Sequence, residues 1–404
     1  MPLSTRLQRE LDGLASRSLR RSLREVDGHG KHVELDGRRR LNLAGNDYLG
    51  LATHPHLKRA AADAAQRRGT GGGASRLVAG HSPLIAETER RFADFKHAEA
   101  ALLLPTGYAA NLAVLTALAR PGDLIVQDKL NHASLLDAAK ASDADVRTYA
   151  HGDLNKAERL LRRHHETAPD AERFLVTDAV FSMDGDTADL PALADLAEQH
   201  DATLVVDEAH ATGVLGDTGA GLAEAQDMIG RVGVTVSTAS KALGGLGGVV
   251  TASRLVIDTL VNRARPLIYS TAVPPAQAAA VAAALDVVRD EPDRRRRLAE
   301  LSGRLRRRLT DAGWPGLPPE HLPTPIVPLR VGEIDAALAL QAKLESAGIL
   351  AVAIRPPTVP PGTARVRLSL RADLTDDELE QVIMAAGTPA RATHPAATGP
   401  VAIA

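Results

Sequence analysis

Lys241 lies in "TASKALGGLGG" (238–248), between an apolar run and a glycine-rich turn, with small uncharged residues on either side. Upstream, Asp207 closes the apolar run "TLVVDEAH", and His210 follows three residues later. A lysine amine attacks an aldehyde only when deprotonated, and surroundings that solvate an ammonium poorly favour that form. An aspartate and a lysine at the ends of neighbouring strands are the two groups that a pyridoxal phosphate site requires. The amine condenses with the aldehyde, and the carboxylate keeps the ring nitrogen protonated so that the ring withdraws electrons.

Two further stretches fit the same chemistry. "LPTGYAAN" puts Thr106, Gly107 and Tyr108 at the start of a helix, where free N–H groups and the helix dipole suit a phosphate. His132 heads the next helix in "KLNHASLLDA", in a position to lie over the cofactor ring. Taken singly, each residue has an ordinary reading: Lys241 a solvated lysine, Asp207 a turn or capping aspartate, Gly107 a turn glycine, His132 a capping histidine. "DEAH" is also a nucleotide-hydrolysis motif, but that reading needs a G-x-x-x-x-G-K-[ST] phosphate loop. Neither "GTGGGASR" nor "SKALGGLGG" supplies one.

The elements that must hold these residues are legible in outline. "ALLL", "DLIVQD", "RFLVTD", "ATLVVD", "VGVTVST" and "GGVVTAS" are unbroken apolar runs that alternate with helical patterns. Strands buried on both faces read this way, so residues 50–280 predict an α/β domain, a mostly parallel sheet with helices on both faces. In such sheets ligands bind beyond the carboxyl ends of the strands, where Asp207 falls and Lys241 follows. Residues 1–49 predict a helix carrying Arg17, Arg20, Arg21 and Arg24, then a hairpin over "HVELDGRRRLNLAG". "LDVVRDEPDRRRRLAELSGRLRRRL" predicts one long helix with Leu298, Leu301, Leu305 and Leu309 inward and its arginines solvated. A smaller α+β domain is expected over 281–385, with a strand "ILAVAI" and a helix opened by the capping box of Thr375 and Glu378. Residues 386–404 predict a disordered tail.

Composition sets the outer bounds. The chain has 404 residues, 44% apolar and 24% charged, with a formal net charge of −2 and no cysteine. No global charge draws it to nucleic acid or an anionic membrane, and thiolate, disulfide and Fe–S chemistry are excluded. No metal site is expected. "MPLSTRLQRELDGLASRSL" lacks a signal-peptide core, so a soluble cytoplasmic protein is the expectation.

"NDYLGL" (46–51), "TGYAAN" (106–111), "NHASLLDA" (131–138), "VFSMDGD" (180–186), "VDEAHATGVLG" (206–216), "STASKALG" (237–244) and "AIRPPTVPPGTARVRLSL" (353–370) closely resemble the α-oxoamine synthases. These are PLP-dependent transferases of aminotransferase fold type I, and the resemblance runs from about residue 15 to 385. It implies that Lys241 holds pyridoxal phosphate and removes the Cα proton of the amino acid. It implies that Asp207 meets the ring nitrogen, His210 and Ser182 the ring oxygen, and His132 the ring face. Gly107, Tyr108, Thr238, Ser240 and, across a homodimer interface, Thr271 are implied at the phosphate. Arg367 is implied to clamp the substrate carboxylate, with Asn46 in the pocket and Arg20 and Thr358 at the acyl group. The register leaves Arg21 open in place of Arg20. The block "RPPTVP" with "ARVRL" points to the member that joins L-alanine to a pimeloyl thioester, on CoA or a carrier protein, with loss of CO2 in biotin synthesis. A glycine-using or broad-specificity relative is the alternative. Gly45 where the family has serine, and Ile85 where it has histidine, depart from the pattern.

Overall fold

The computed structural model describes residues 3–317 and 324–389. Part of the proline-rich connector, 318–323, and most of the expected tail, 390–404, lie outside the described residues.

Seven strands form the central sheet, in the order Ala100–Leu104, Gly248–Ala252, Val234–Thr238, Ala202–Asp207, Arg173–Asp178, Leu124–Asp128 and Asp145–Tyr149. All neighbours are parallel except that Gly248–Ala252 runs antiparallel to both of its own. The unbroken apolar runs are explained by burial on both faces. Val205 packs in one cluster with Val176, Val236 and Leu135, whereas its chain neighbours Leu204 and Val206 join Leu175 and Leu193 in the other. Alternate side chains of a strand point to opposite faces, so each face needs its own apolar set. The helices Gly107–Leu118 and Ala133–Ala141 cover the first face, and Leu190–Gln199 the second. Asp189 caps the last of these by accepting from the Ala192 N–H at 3.1 Å.

Two smaller sheets flank this core. Val26–Asp27, His32–Leu35 and Arg38–Asn42 form the expected hairpin region, joined by Ile349–Leu350; Ile326–Gly332, Ala364–Ser369 and Val352–Ile354 form the other. The run "ILAVAI" is therefore not one strand. Its first half pairs parallel with Arg38–Asn42 and its second half antiparallel with Ala364–Ser369. Thr375 and Glu378 complete both halves of the capping box.

Two other expectations are corrected. Arg17, Arg20, Arg21 and Arg24 lie beyond the first helix, Leu3–Ala15. Ser18 takes a left-handed conformation (φ 55°), and the Leu19 and Arg20 N–H groups both return to the Leu14 carbonyl, which closes the helix. Arg24 is instead drawn to Glu345 at 2.6 Å and Asp36 at 3.1 Å. The long helix is two, Pro275–Asp290 and Asp293–Asp311, broken next to Pro292, which has no N–H to continue the ladder. Leu298, Leu301, Leu305 and Leu309 are buried as expected, but so are Arg295 and Arg306. The Arg306 guanidinium donates to the carbonyls of Thr324 and Ile326 at 2.7 and 3.1 Å, and these acceptors permit its burial. Among the described residues no helix is long and apolar enough to cross a membrane.

Candidate active site

Asp207 is the last residue of its strand, and the adjacent parallel strand Val234–Thr238 leads through a bend to Lys241. The Asp207 carboxylate accepts from the Ala209 N–H at 2.8 Å and from Asn111 Nδ2 at 2.7 Å. Lys241 is half-buried. Burial lowers its pKa below the ordinary lysine value; the negative charges of Asp207 and Asp178 oppose this, and Arg367 adds to it. The result is an amine more easily deprotonated than one in water. His210 is buried, and its Nδ1 is 2.6 Å from the Tyr48 hydroxyl. Loss of solvent first, then the Lys241 charge, hold its pKa well below the usual imidazole value, so it is neutral.

His132 caps the helix Ala133–Ala141. Its Nδ1 accepts from the Ser134 N–H at 3.2 Å and lies 2.7 Å from Ser134 Oγ, while its own N–H donates to Asp178 at 2.6 Å. The capping role and a place at the strand ends are thus combined in one residue. Burial lowers its pKa, with Asp207 pulling the other way.

A second group of donors converges on the start of the helix Gly107–Leu118. Thr106 caps it by accepting from the Ala109 N–H at 3.0 Å, and the Gly107 and Tyr108 N–H groups occupy the first turn, where no intrahelical acceptor exists. The helix end presses close to the sheet. A Cβ on Gly107 would stand 3.3 Å from Thr238 Cβ, and one on Gly248 would meet the Thr106 carbonyl oxygen at 2.3 Å. Thr238 Oγ1 and Ser240 Oγ are 2.8 Å apart beside it. A helix N-terminus and two hydroxyls form a donor set that fits a phosphate dianion, and with Lys241 and Asp207 they fit pyridoxal phosphate. The Tyr108 ring is exposed and its hydroxyl donates to Asp137 at 2.5 Å.

On the side of the smaller sheet, Arg367 donates to Asn46 Oδ1 and to the Ser182 carbonyl, both at 3.0 Å. Tyr48 also donates to Asn46, at 3.2 Å. A cleft of about 2060 Å³ opens here, with His132, Leu136, Phe181, Ser182, Trp314 and Thr358 among its walls. The structure does not bring Arg20 to Thr358: Arg20 is exposed, and Arg21 Nη2 donates to Thr358 Oγ1 at 3.0 Å. Thr271 is exposed and bridges to Ser75.

Residues 38–385 match the family described as aminotransferase class I and II. The chain belongs to the class I and II aminotransferase family. Within this family it is 47% identical over 380 residues to the 8-amino-7-oxononanoate synthase of Geobacter sulfurreducens, covering 93% of this chain and 95% of that protein. A variant of the serine palmitoyltransferase from S. paucimobilis, solved with bound PLP–myriocin aldimine, superposes with a TM-score of 0.88 at 26% identity, covering 96% of this chain and 97% of that one. The 8-amino-7-oxononanoate synthase of Francisella tularensis superposes with a TM-score of 0.72 at 28% identity over 86% of this chain and 96% of that one.

In this aminotransferase-family site several contributors were not singled out from the sequence. Asn111 lies one helical turn beyond Gly107, so the helix that presents its N-terminus to Thr238 also turns an amide onto Asp207. Both Asn111 and Tyr48 sit inside motifs quoted above, and spacing from Gly107 would have found the first. Glu208 is fully buried against Lys96 and accepts from the Ala223 N–H at 2.8 Å, tying down the segment after Asp207. Ile85, in place of a histidine, is buried in the core on the helix Pro83–Phe95.

Proposed function

We propose that the chain condenses L-alanine with a pimeloyl thioester, releasing CO2 and the free thiol, to form 8-amino-7-oxononanoate in biotin synthesis. The observation that carries this reading is the grouping of Lys241 and Asp207 beyond the strand ends, with Arg367 of the smaller sheet near enough for its charge to act on Lys241, in a chain so similar to enzymes of that name. Bound pyridoxal phosphate supplies the electron sink for the charge left at Cα when the proton and later the carboxylate depart.

The chain's own residues do the rest. Lys241 would hold the cofactor through its aldehyde, and its lowered-pKa amine would take the Cα proton of alanine. Asp207 holds the ring nitrogen protonated, with Asn111 and the Ala209 N–H keeping its carboxylate aimed. His210 hydrogen-bonds the ring oxygen, with Ser182 nearby. Gly107, Tyr108, Thr238 and Ser240 hold the phosphate, and His132 stacks on the ring. Arg367 offers the alanine carboxylate a two-pronged donor, poised by Asn46. The apolar cleft walls take the methylene chain of the acyl group, with Arg21 and Thr358 at its rim.

Two copies of the chain form the working unit, Thr271 of each reaching the phosphate of the other. Support comes from the exposed apolar residues Leu77, Val78 and Tyr269, which flank the Ser75–Thr271 bridge along the chain. The cytoplasm is the place of action. Steady-state release of thiol tests the substrate assignment. Alanine with pimeloyl-CoA is expected to outrun glycine with acetyl-CoA by a wide margin. The reverse order would make the chain a glycine C-acetyltransferase and overturn the reading.

A further inference from the structure

We infer that Asp178 is a positioning residue of this site, whose carboxyl holds His132 over the strand ends by accepting the His132 main-chain N–H. Asp178 closes the strand Arg173–Asp178 and is register partner of Asp207 on the adjacent parallel strand. Three hydrogen bonds form a clasp between this strand end and the segment before the helix Ala133–Ala141. His132 N–H donates to Asp178 Oδ2 at 2.6 Å, the Asp178 N–H donates to Asn131 Oδ1 at 3.1 Å, and Asn131 Nδ2 donates to the Val176 carbonyl at 2.9 Å. Asn131 and Asp178 are both buried. Because Ser134 occupies His132 Nδ1 at the same time, main chain and ring are held from opposite sides.

The chemistry of the pair bears on the form in which Asp178 acts. Asp178 and Asp207 end adjacent parallel strands and are both buried, and a charge on one raises the cost of ionising the other. Asp207 accepts from two donors, Asp178 from one. Burial, and then the charge of Asp207, push the Asp178 carboxyl well above the carboxylate range. Asp178 is therefore more readily protonated than an ordinary carboxyl would be, and its oxygen serves His132 as acceptor in either form. A side-chain amide at 178 keeps that acceptor; a methyl group removes it.

This inference rests on the pyridoxal phosphate reading of Lys241, and the experiment separates the two. Wild type, Asp178→Asn and Asp178→Ala, each loaded with pyridoxal phosphate, are compared by visible absorbance, visible circular dichroism, kcat and KM for alanine. Wild type and Asp178→Asn are expected to agree within about twofold in every quantity, while Asp178→Ala loses at least about tenfold in kcat through misplacement of His132. The Ala variant should also lose at least about half of the circular dichroism of its visible band, because the ring no longer sits against a fixed imidazole. If Asp178→Ala does not fold, Asn131→Ala, which opens the same clasp, is expected to show the same loss. An unchanged spectrum and kcat in the Ala variants, or an Asn variant as impaired as Ala, overturns the inference alone. A wild type that takes up no visible band overturns the Lys241 reading and this inference with it.

Discussion

Arg21 Nη2 donates to Thr358 Oγ1 at 3.0 Å, joining residues 337 positions apart at the rim of the cleft beside His132. Arg20, its neighbour, is exposed, and its main-chain N–H turns back to the Leu14 carbonyl at 3.2 Å. Arg21→Ala is expected to raise KM for the acyl thioester about tenfold with little change in kcat, and Arg20→Ala to change it less than about twofold. Steady-state kinetics on the two variants checks this. A larger effect at Arg20 would return the contact to that residue.

At Gly248 the sheet presses against the start of the helix Gly107–Leu118. An added Cβ would lie 2.3 Å from the Thr106 carbonyl oxygen and 2.7 Å from Gly107 Cα, both main-chain atoms that cannot swing aside. Gly248→Ala must push the helix N-terminus away from Thr238, so it is expected to cost about 1–3 kcal/mol of stability. Affinity for pyridoxal phosphate should fall at least about tenfold, since the N–H donors leave the hydroxyls they work with. Denaturant unfolding and cofactor titration measure the two effects, and undiminished affinity would rule out this helix end as the phosphate cradle.

His151 bridges Asp128 through Nδ1 at 3.0 Å and Asp186 through Nε2 at 2.7 Å, with its ring edge-on to Phe181 at a centroid distance of 4.4 Å. It thereby braces the loop that carries Ser182. The hydrogen bonds to Asp128 and then Asp186 push its pKa from 6.5 up to about 10. Since the folded value is the higher one, protonation stabilises the fold. The contribution is full below pH 6.5, declines above it and is gone beyond about pH 10. The ring is a third exposed, so solvent screening reduces the contribution to about 1–2 kcal/mol. His151→Gln is expected to be less stable than wild type by that amount near pH 6 and equal to it above about pH 10. Unfolding free energies of both proteins across this range give the test. A difference that does not shrink as pH rises would show that the bridge is not ionic.

The residues proposed to handle the cofactor were legible because strand ends are. An apolar run that stops at Asp207, and another followed by Lys241, mark positions beyond the carboxyl ends of neighbouring strands whatever the rest of the chain does. Thr106, Gly107 and His132 sit at helix starts that local capping signals already mark. The choice between Arg20 and Arg21 stayed open and Asp178 was overlooked for the opposite reason. Nothing within ten residues of either announces its partner, because Thr358 and Asp207 are brought up by distant parts of the chain.

Taken alone, the amino-acid order determined the alternation of strands and helices, the two-faced burial of the central sheet and the residues at its carboxyl edge. These follow from side-chain periodicity and capping, which act over a few residues. Only the tertiary structure decided which strands are neighbours, and so that Asp178 stands beside Asp207, that "ILAVAI" divides between two sheets, and that Arg306 is buried among carbonyls. Those outcomes depend on hydrogen-bond partners and desolvation supplied from far along the chain, and no local pattern encodes them.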